Sequence, residues 1–208
     1  MTQLADNMDD GTPGDDIGLR PGWSVFGGNY DVQVSATNGI TGTSAPSGSG
    51  RGGASFDTGS PDHRSGATYI TKTGNSIGVA VRMVDNLNYV FAASGGVGGG
   101  GLRVNKKVSG TLTQLTGEQP VAGNKYELRV TANGASSDYE LFEDSGAGWV
   151  SMPDGPVSIP HTEIPDTAQH AGLINDGSNI STTIWDDYDG GSLGGSSGPV
   201  LELSGFAA

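Results

Sequence analysis

Stretches of this sequence alternate apolar and polar residues with a period of two, and no run of a dozen residues keeps the 3.6-residue period of a helix. In Lys125-Tyr126-Glu127-Leu128-Arg129-Val130 and in Tyr30-Asp31-Val32-Gln33-Val34 every second side chain is apolar. That is the pattern of a strand with one face on a core and the other in water. Ile77 to Val84 and Asn88 to Ala93 make a second set, joined by Asp85-Asn86-Leu87, which has the polar character of a hairpin turn. Further strands are expected at Leu102 to Lys107, Thr111 to Leu115, Tyr139 to Phe142 and Ala171 to Ile174. Between them lie the turn signals Ser109-Gly110, Asn133-Gly134, Asp144-Ser145-Gly146 and Asp176-Gly177. Short strands so punctuated predict an all-β chain folded as one antiparallel β-sandwich or jelly roll. The predicted core comprises Trp23, Val79, Val81, Tyr89, Phe91, Leu128, Val130, Leu141, Leu173 and Trp185.

Composition narrows the functional classes. Ten Lys and Arg stand against 23 Asp and Glu, a net charge of −13, which repels phosphate backbones and anionic membranes. No apolar run of 18 residues exists to span a bilayer, so neither nucleic acid nor membrane is an expected partner. The opening Met1-Thr2-Gln3-Leu4-Ala5-Asp6 has no basic or apolar region of a secretory signal, and none is expected. Without cysteine there is no disulfide, thiolate nucleophile or Cys-ligated zinc, so burial alone holds the fold. The 37 glycines suit tight turns and flexible connectors.

Thr41 to Gly53 reads as a surface loop, and Gly190 to Gly198 has linker composition. The expected division is therefore a sandwich over residues 1–190 and a Gly/Ser linker with an apolar C-terminal attachment segment over residues 191–208. Val200, Leu201, Leu203 and Phe206 are the expected attachment side chains, with closure of the chain's own sandwich by a last strand as the alternative.

Several segments resemble the laminin-G-like branch of the concanavalin A-like lectin/glucanase superfamily, especially single-domain versions in tailed-bacteriophage virion proteins. They are Asp6-Asn7-Met8 with Leu19 and Trp23, Ala54 to Gly59, Val81 to Asn86 with Asn88-Tyr89-Val90, His170-Ala171-Gly172-Leu173, and Trp185-Asp186-Asp187-Tyr188. The resemblance covers about residues 1–190 and implies a concanavalin A-like jelly roll. It also implies a virion protein, most simply a capsid decoration or tail-associated protein located on the particle and contacting the major capsid protein or other virion proteins, as a homo-oligomer.

Chemical constellations are sparse. A retaining glucanase of this superfamily would carry Glu-x-Asp-x-Glu, which places three carboxylates on one strand face, and that pattern is absent. None of His63, His161 and His170 sits near a Gly-x-Ser-x-Gly elbow in a strand-to-helix setting; His63 reads as a loop residue and His170 as a strand-face residue. No catalytic residue and no enzyme activity are expected. No cofactor is expected either, except that some relatives of this fold hold calcium near the first and last strands, where Asp6 and Asp187 are candidate ligands. Solvated turn carboxylates are the plainer reading of Asp9-Asp10 and Asp15-Asp16. Sugar binding would use exposed aromatics, for which Trp149, Tyr69 and Tyr89 are candidate platforms. The expectation is thus a non-enzymatic virion structural protein. The alternative is a carbohydrate-binding module adhering to host or environmental glycans, and after it a glycoside hydrolase.

Overall fold

The computed structural model describes residues 2–7, 12–27, 32–34, 40–42, 52–71, 75–95, 101–175, 184–194 and 201–202. Apart from one 3-10 turn, Ile17–Leu19, the elements in these residues are strands. In chain order they are β1 (Gln3–Asp6), β2 (Ser24–Gly27), β3 (Val32–Val34), β4 (Ile40–Gly42), β5 (Gly52–Asp57), β6 (His63–Thr71), β7 (Asn75–Asp85), β8 (Asn88–Gly95) and β9 (Leu102–Val108). Then follow β10 (Thr111–Gln114), β11 (Lys125–Asn133), β12 (Ser136–Asp144), β13 (Trp149–Ser151), β14 (Val157–Pro160), β15 (His170–Asn175), β16 (Ile184–Ser192) and β17 (Leu201–Glu202).

They form two sheets, one of ten strands in the order β13-β12-β11-β6-β16-β1-β17 and one of seven in the order β10-β9-β8-β7-β15-β5-β2. In the larger sheet β14 also pairs with β12, and the β3–β4 hairpin joins through β4 to β16. Every pairing is antiparallel except β1 with β17.

Alternation decides what lies between the sheets. β11 buries Tyr126, Leu128 and Val130 on one face and turns Glu127 and Arg129 to the other. From the seven-stranded sheet, Val79, Val81, Val90, Val104 and Leu173 point into the same core. At its centre Trp185 lies against Tyr69, ring centroids 4.7 Å apart, and donates from Nε1 to the Ile77 carbonyl at 3.1 Å. Burying each such side chain stabilises the fold by about 1.5–3 kcal/mol before conformational entropy is subtracted. All ten predicted core residues are buried. Two of them, Tyr89 and Phe91, lie not between the sheets but in a second cluster with Phe26, Ala80, Met83, Ala93 and Ile174 on the outward face of the seven-stranded sheet.

Glycine serves close packing as well as turns. A Cβ at Gly172 would stand 2.0 Å from the Ala54 carbonyl oxygen, and one at Gly53 2.0 Å from that of Leu173, so the β5–β15 contact requires both glycines. Gly53 therefore belongs to a strand rather than to the expected surface loop from Thr41. Residues 43–51 of that stretch lie outside the described residues. The expected change from sandwich to linker at residue 191 also falls inside a strand: Gly191 pairs with Gln3 and Arg64, and Ser192 with His63.

Candidate functional site

The outward face of the ten-stranded sheet is built by four consecutive strands. Glu127 of β11 is in register with Phe142 of β12 and Gly66 of β6, and Gly66 with Asp189 of β16. One row away Arg129 is opposite Arg64 and Glu140. These registers bring four charges into one network. Arg64 Nη1 donates to Glu127 Oε2 at 2.7 Å and to Asp189 Oδ2 at 2.9 Å, Arg64 Nη2 donates to Asp189 Oδ1 at 2.9 Å, and Arg129 Nε donates to Glu127 Oε1. The Glu127 side chain is only 1% exposed. Burial alone would lower the Arg64 pKa, but the bonds to Asp189 and Glu127 outweigh it and hold the guanidinium above the ordinary arginine value.

Aromatic rings adjoin the network. The Arg129 guanidinium carbon lies 3.9 Å from the Phe142 ring centroid and 5.8 Å from that of Trp149, a cation stacked beside two π faces. Trp149 is half-buried at the first position of β13, opposite Asp144. Next to it Ser151 donates from Oγ to Glu140. The two terminal amino groups of Arg129 bond to no described residue. This face thus offers ring surface, guanidinium donors and carboxylate acceptors held in place by one another.

A second polar group sits between the sheets at one end. His63, expected as a loop residue, is instead the first residue of β6 and fully buried. Its Nε2 accepts from the Arg82 backbone N–H at 3.0 Å while Nδ1 lies 2.9 Å from the Ser60 carbonyl, so the neutral ring with its proton on Nδ1 satisfies both contacts. Burial is the main cause that lowers its pKa to about 4. Arg82, at a bulge with φ 52°, is fully buried and donates to the carbonyls of Asp166 and Ala168 and, at 3.0 Å, to Ser137 Oγ. Ser137 Oγ lies 3.0 Å from His161 Nε2, and His161 Nδ1 lies 3.9 Å from Asp166 Oδ2. The order of atoms is that of a Ser–His–Asp triad, which the sequence motifs did not disclose. Ser137 is fully buried, however, and its oxygen already accepts a hydrogen bond from the Arg82 guanidinium, so a substrate carbonyl has no approach to it. A groove of about 430 Å³ lined by Gly101, Glu118, Pro120 and Val121 brings one carboxylate, paired with Arg103, and no converging polar set.

The expected site residues separate sharply. Trp149 is on the open face. Tyr69 and Tyr89 are both fully buried, Tyr69 against Trp185 and Tyr89 against Phe26 and Phe91, and neither presents a ring to a sugar. Asp6 faces the core, accepting from Arg20 Nε and Nη2 at 3.0 and 2.9 Å and from Trp23 Nε1 at 2.9 Å; a cation there would have to displace a guanidinium. Asp187 is exposed, at φ 47°, and accepts from Thr68 Oγ1 at 3.4 Å. Among the described residues no group of three metal-ligating side chains converges. Asp16 caps the 3-10 turn through the Gly18 N–H at 2.8 Å, and Asp15 accepts from Thr12 N–H. Leu201 pairs with Leu4 of its own chain in β17, while Val200, Leu203 and Phe206 lie outside the described residues.

No family model and no curated protein matches the sequence. Solved structures do resemble the fold. The GH43 protein BlXynB of Bacillus licheniformis superposes with a TM-score of 0.52 at 14% identity over 90% of this chain, which spans only 38% of that protein's length. The exoplasmic/lumenal domain of VIP36 in its Ca2+/Man2-bound form gives a TM-score of 0.49 at 11% identity, covering 95% of this chain and 90% of that one. The carbohydrate-binding module CBM66 of Bacillus subtilis gives 0.42 at 15% identity, covering 86% and 97%. At such identities the likeness is one of fold. The chain is an antiparallel β-sandwich of the concanavalin A-like jelly-roll class.

Proposed function

We propose that this domain binds carbohydrate on the outward face of its ten-stranded sheet and carries no hydrolytic centre of its own. The observation that carries the reading is the Arg129 guanidinium seated on Phe142 beside half-buried Trp149, inside a network of fixed charges. A sugar offers C–H groups to a ring face and adjacent hydroxyls to paired donors and acceptors, and this face supplies both. The charges support binding rather than hydrolysis. A glycosidase needs a carboxyl group that donates a proton to the leaving oxygen, whereas both oxygens of Glu127 and both of Asp189 accept hydrogen bonds from guanidinium groups, which favours their ionised form. Screening the domain on a glycan array, followed by titration calorimetry, tests the proposal. Binding is expected to a set of oligosaccharides, with no release of reducing ends and no change on adding chelator; an array without binders overturns it.

A second reading, display on a tailed-phage particle with the C-terminal residues contacting capsid or tail proteins, rests on the sequence resemblance. Mass spectrometry of purified particles tests it. Many copies per particle support decoration, and absence from the particle removes the virion location.

A further inference from the structure

Lys125, Glu127 and Arg129 follow one another at every second position of β11 and so share the outward face of the ten-stranded sheet. Glu127 is engaged by Arg64 and Arg129, but the two cations on either side of it keep donors free. Arg129 is bonded through Nε alone; its side chain is 27% exposed, and its fork of terminal amino groups bonds to no described residue. Glu140 is opposite it in register, yet accepts from Ser151 instead. Lys125 is partly exposed and forms no ion pair among the described residues.

Other basic side chains are differently placed. Arg20 is paired with Asp6, Arg103 with Glu118 and Lys106 with Glu163, and Arg64 is held by two carboxylates. A free guanidinium fork has the shape that meets a carboxylate with two parallel N–H donors. The fork of Arg129 is fixed before any ligand arrives, because Glu127 holds its Nε and the Phe142 ring centroid lies 3.9 Å from its carbon. Trp149, 5.8 Å from the same carbon, supplies ring surface for the sugar that bears the carboxylate. A net charge of −13 opposes the approach of any polyanion, most of all a densely sulfated one, so the attraction has to come from these local donors.

We propose that the carbohydrate taken by this face is an oligomer containing uronic acid. One carboxylate accepts from both terminal amino groups of Arg129 while the ring that carries it lies against Trp149. Lys125 and Arg129 are four residues apart on one strand, about 13 Å at roughly 3.3 Å per residue, which is more than a single sugar ring spans. Lys125 therefore meets a second carboxylate further along the same oligomer. The inference rests on the carbohydrate reading of the face and adds the class of sugar.

Titration calorimetry on the full chain tests it, with oligomers of galacturonate, glucuronate and mannuronate, each beside its carboxyl-reduced neutral counterpart, and with an oligomer of sulfated galactan. At least one acidic oligomer should bind about tenfold to a hundredfold more tightly than its neutral counterpart, the effect of charge-assisted bonds to a fixed fork. Arg129→Gln should abolish that preference; if the variant folds poorly, Arg129→Lys, which keeps the charge and loses the fork, should reduce it. Lys125→Gln should weaken the acidic oligomer about threefold to tenfold, and Arg103→Gln, which removes one charge from the other sheet, should leave it unchanged. Neutral oligomers bound as tightly as acidic ones, tighter binding of sulfated galactan, or an acid preference untouched by both Arg129 variants each overturns the uronic-acid assignment while the carbohydrate reading stands. If none of these oligomers binds but the glycan array shows other binders, the assignment alone fails; an array without binders removes both.

Discussion

The outward faces of the two sheets follow the same pleat and yet differ completely. On the seven-stranded sheet Phe26, Met83, Tyr89, Phe91 and Ile174 are buried in a cluster of their own, while on the ten-stranded sheet the outward positions of β11, β12 and β6 hold Glu127, Arg129, Phe142 and Arg64. The difference is already written in the strands. Tyr89-Val90-Phe91-Ala92-Ala93 is a continuous apolar run, the pattern of a strand covered on both sides, whereas Lys125 to Val130 alternates, the pattern of a strand covered on one. An open face is the one that can meet a ligand, and for that reason the candidate site belongs to the larger sheet.

The most severe trial of that contrast is Phe91→Ala set beside Phe142→Ala. Phe91 is 3% exposed within its cluster, and its truncation should cost about 3–5 kcal/mol in urea denaturation. Phe142 is only half-buried under Arg129, and its loss should cost about 1 kcal/mol. Equal costs would mean that the two faces are equally covered, and the placement of the site would lose its basis.

Acidification probes the interior polar end between those faces. His63 has a folded pKa of about 4 against 6.5 unfolded, so below pH 6.5 the unfolded chain takes up a proton that the folded one refuses. Stability should therefore fall as pH drops from 6.5 to about 4, by about 3 kcal/mol, and His63's share should level off below that. Comparing wild type with His63→Gln across this window isolates its share from that of the carboxylates. Parallel profiles would show that burial does not hold the histidine neutral. A smaller effect is expected from Glu127→Ala, which leaves Arg129 Nε without its acceptor while Arg64 keeps Asp189. About 2 kcal/mol should be lost, and in 1 M salt about the same, because a side chain this buried is poorly screened.

The elements that alternate or run apolar were legible in the sequence. β11, the β7–β8 hairpin, β9 and β10 stand where the pattern put them, and Glu127 and Arg129 were visibly on one face. What joins them to Arg64 and Asp189 is strand order and register between segments more than 60 residues apart, which no local pattern encodes. His63 was misplaced for a similar reason. Pro61-Asp62-His63-Arg64 has turn composition, but the chain enters β6 there, and a buried amide from β7 supplies the partner that a histidine in the core needs. Tyr69 was read as a platform, and Tyr89 both as a platform and as core, because the sequence of a strand does not show which of its faces the rest of the fold covers.

Trp149→Ala should have the smallest effect on stability and the largest on binding. The ring is half-buried at a strand margin, touches Arg129 from one side, and fills no core, so its removal should change the unfolding free energy by about 0.5–1 kcal/mol. If Trp149 is the surface on which a sugar stacks, the same change should weaken glycan binding by about tenfold to a hundredfold in titration calorimetry, since losing one stacking platform costs more than losing one rim hydrogen bond. Arg129→Lys should weaken it less, about tenfold, because the charge remains while the planar fork over Phe142 is lost. A variant that unfolds like wild type and binds like wild type would separate Trp149 from any ligand. One that loses stability in proportion to affinity would make it a packing residue, and the distinction between the covered and the open face would then have to be drawn elsewhere on the sheet.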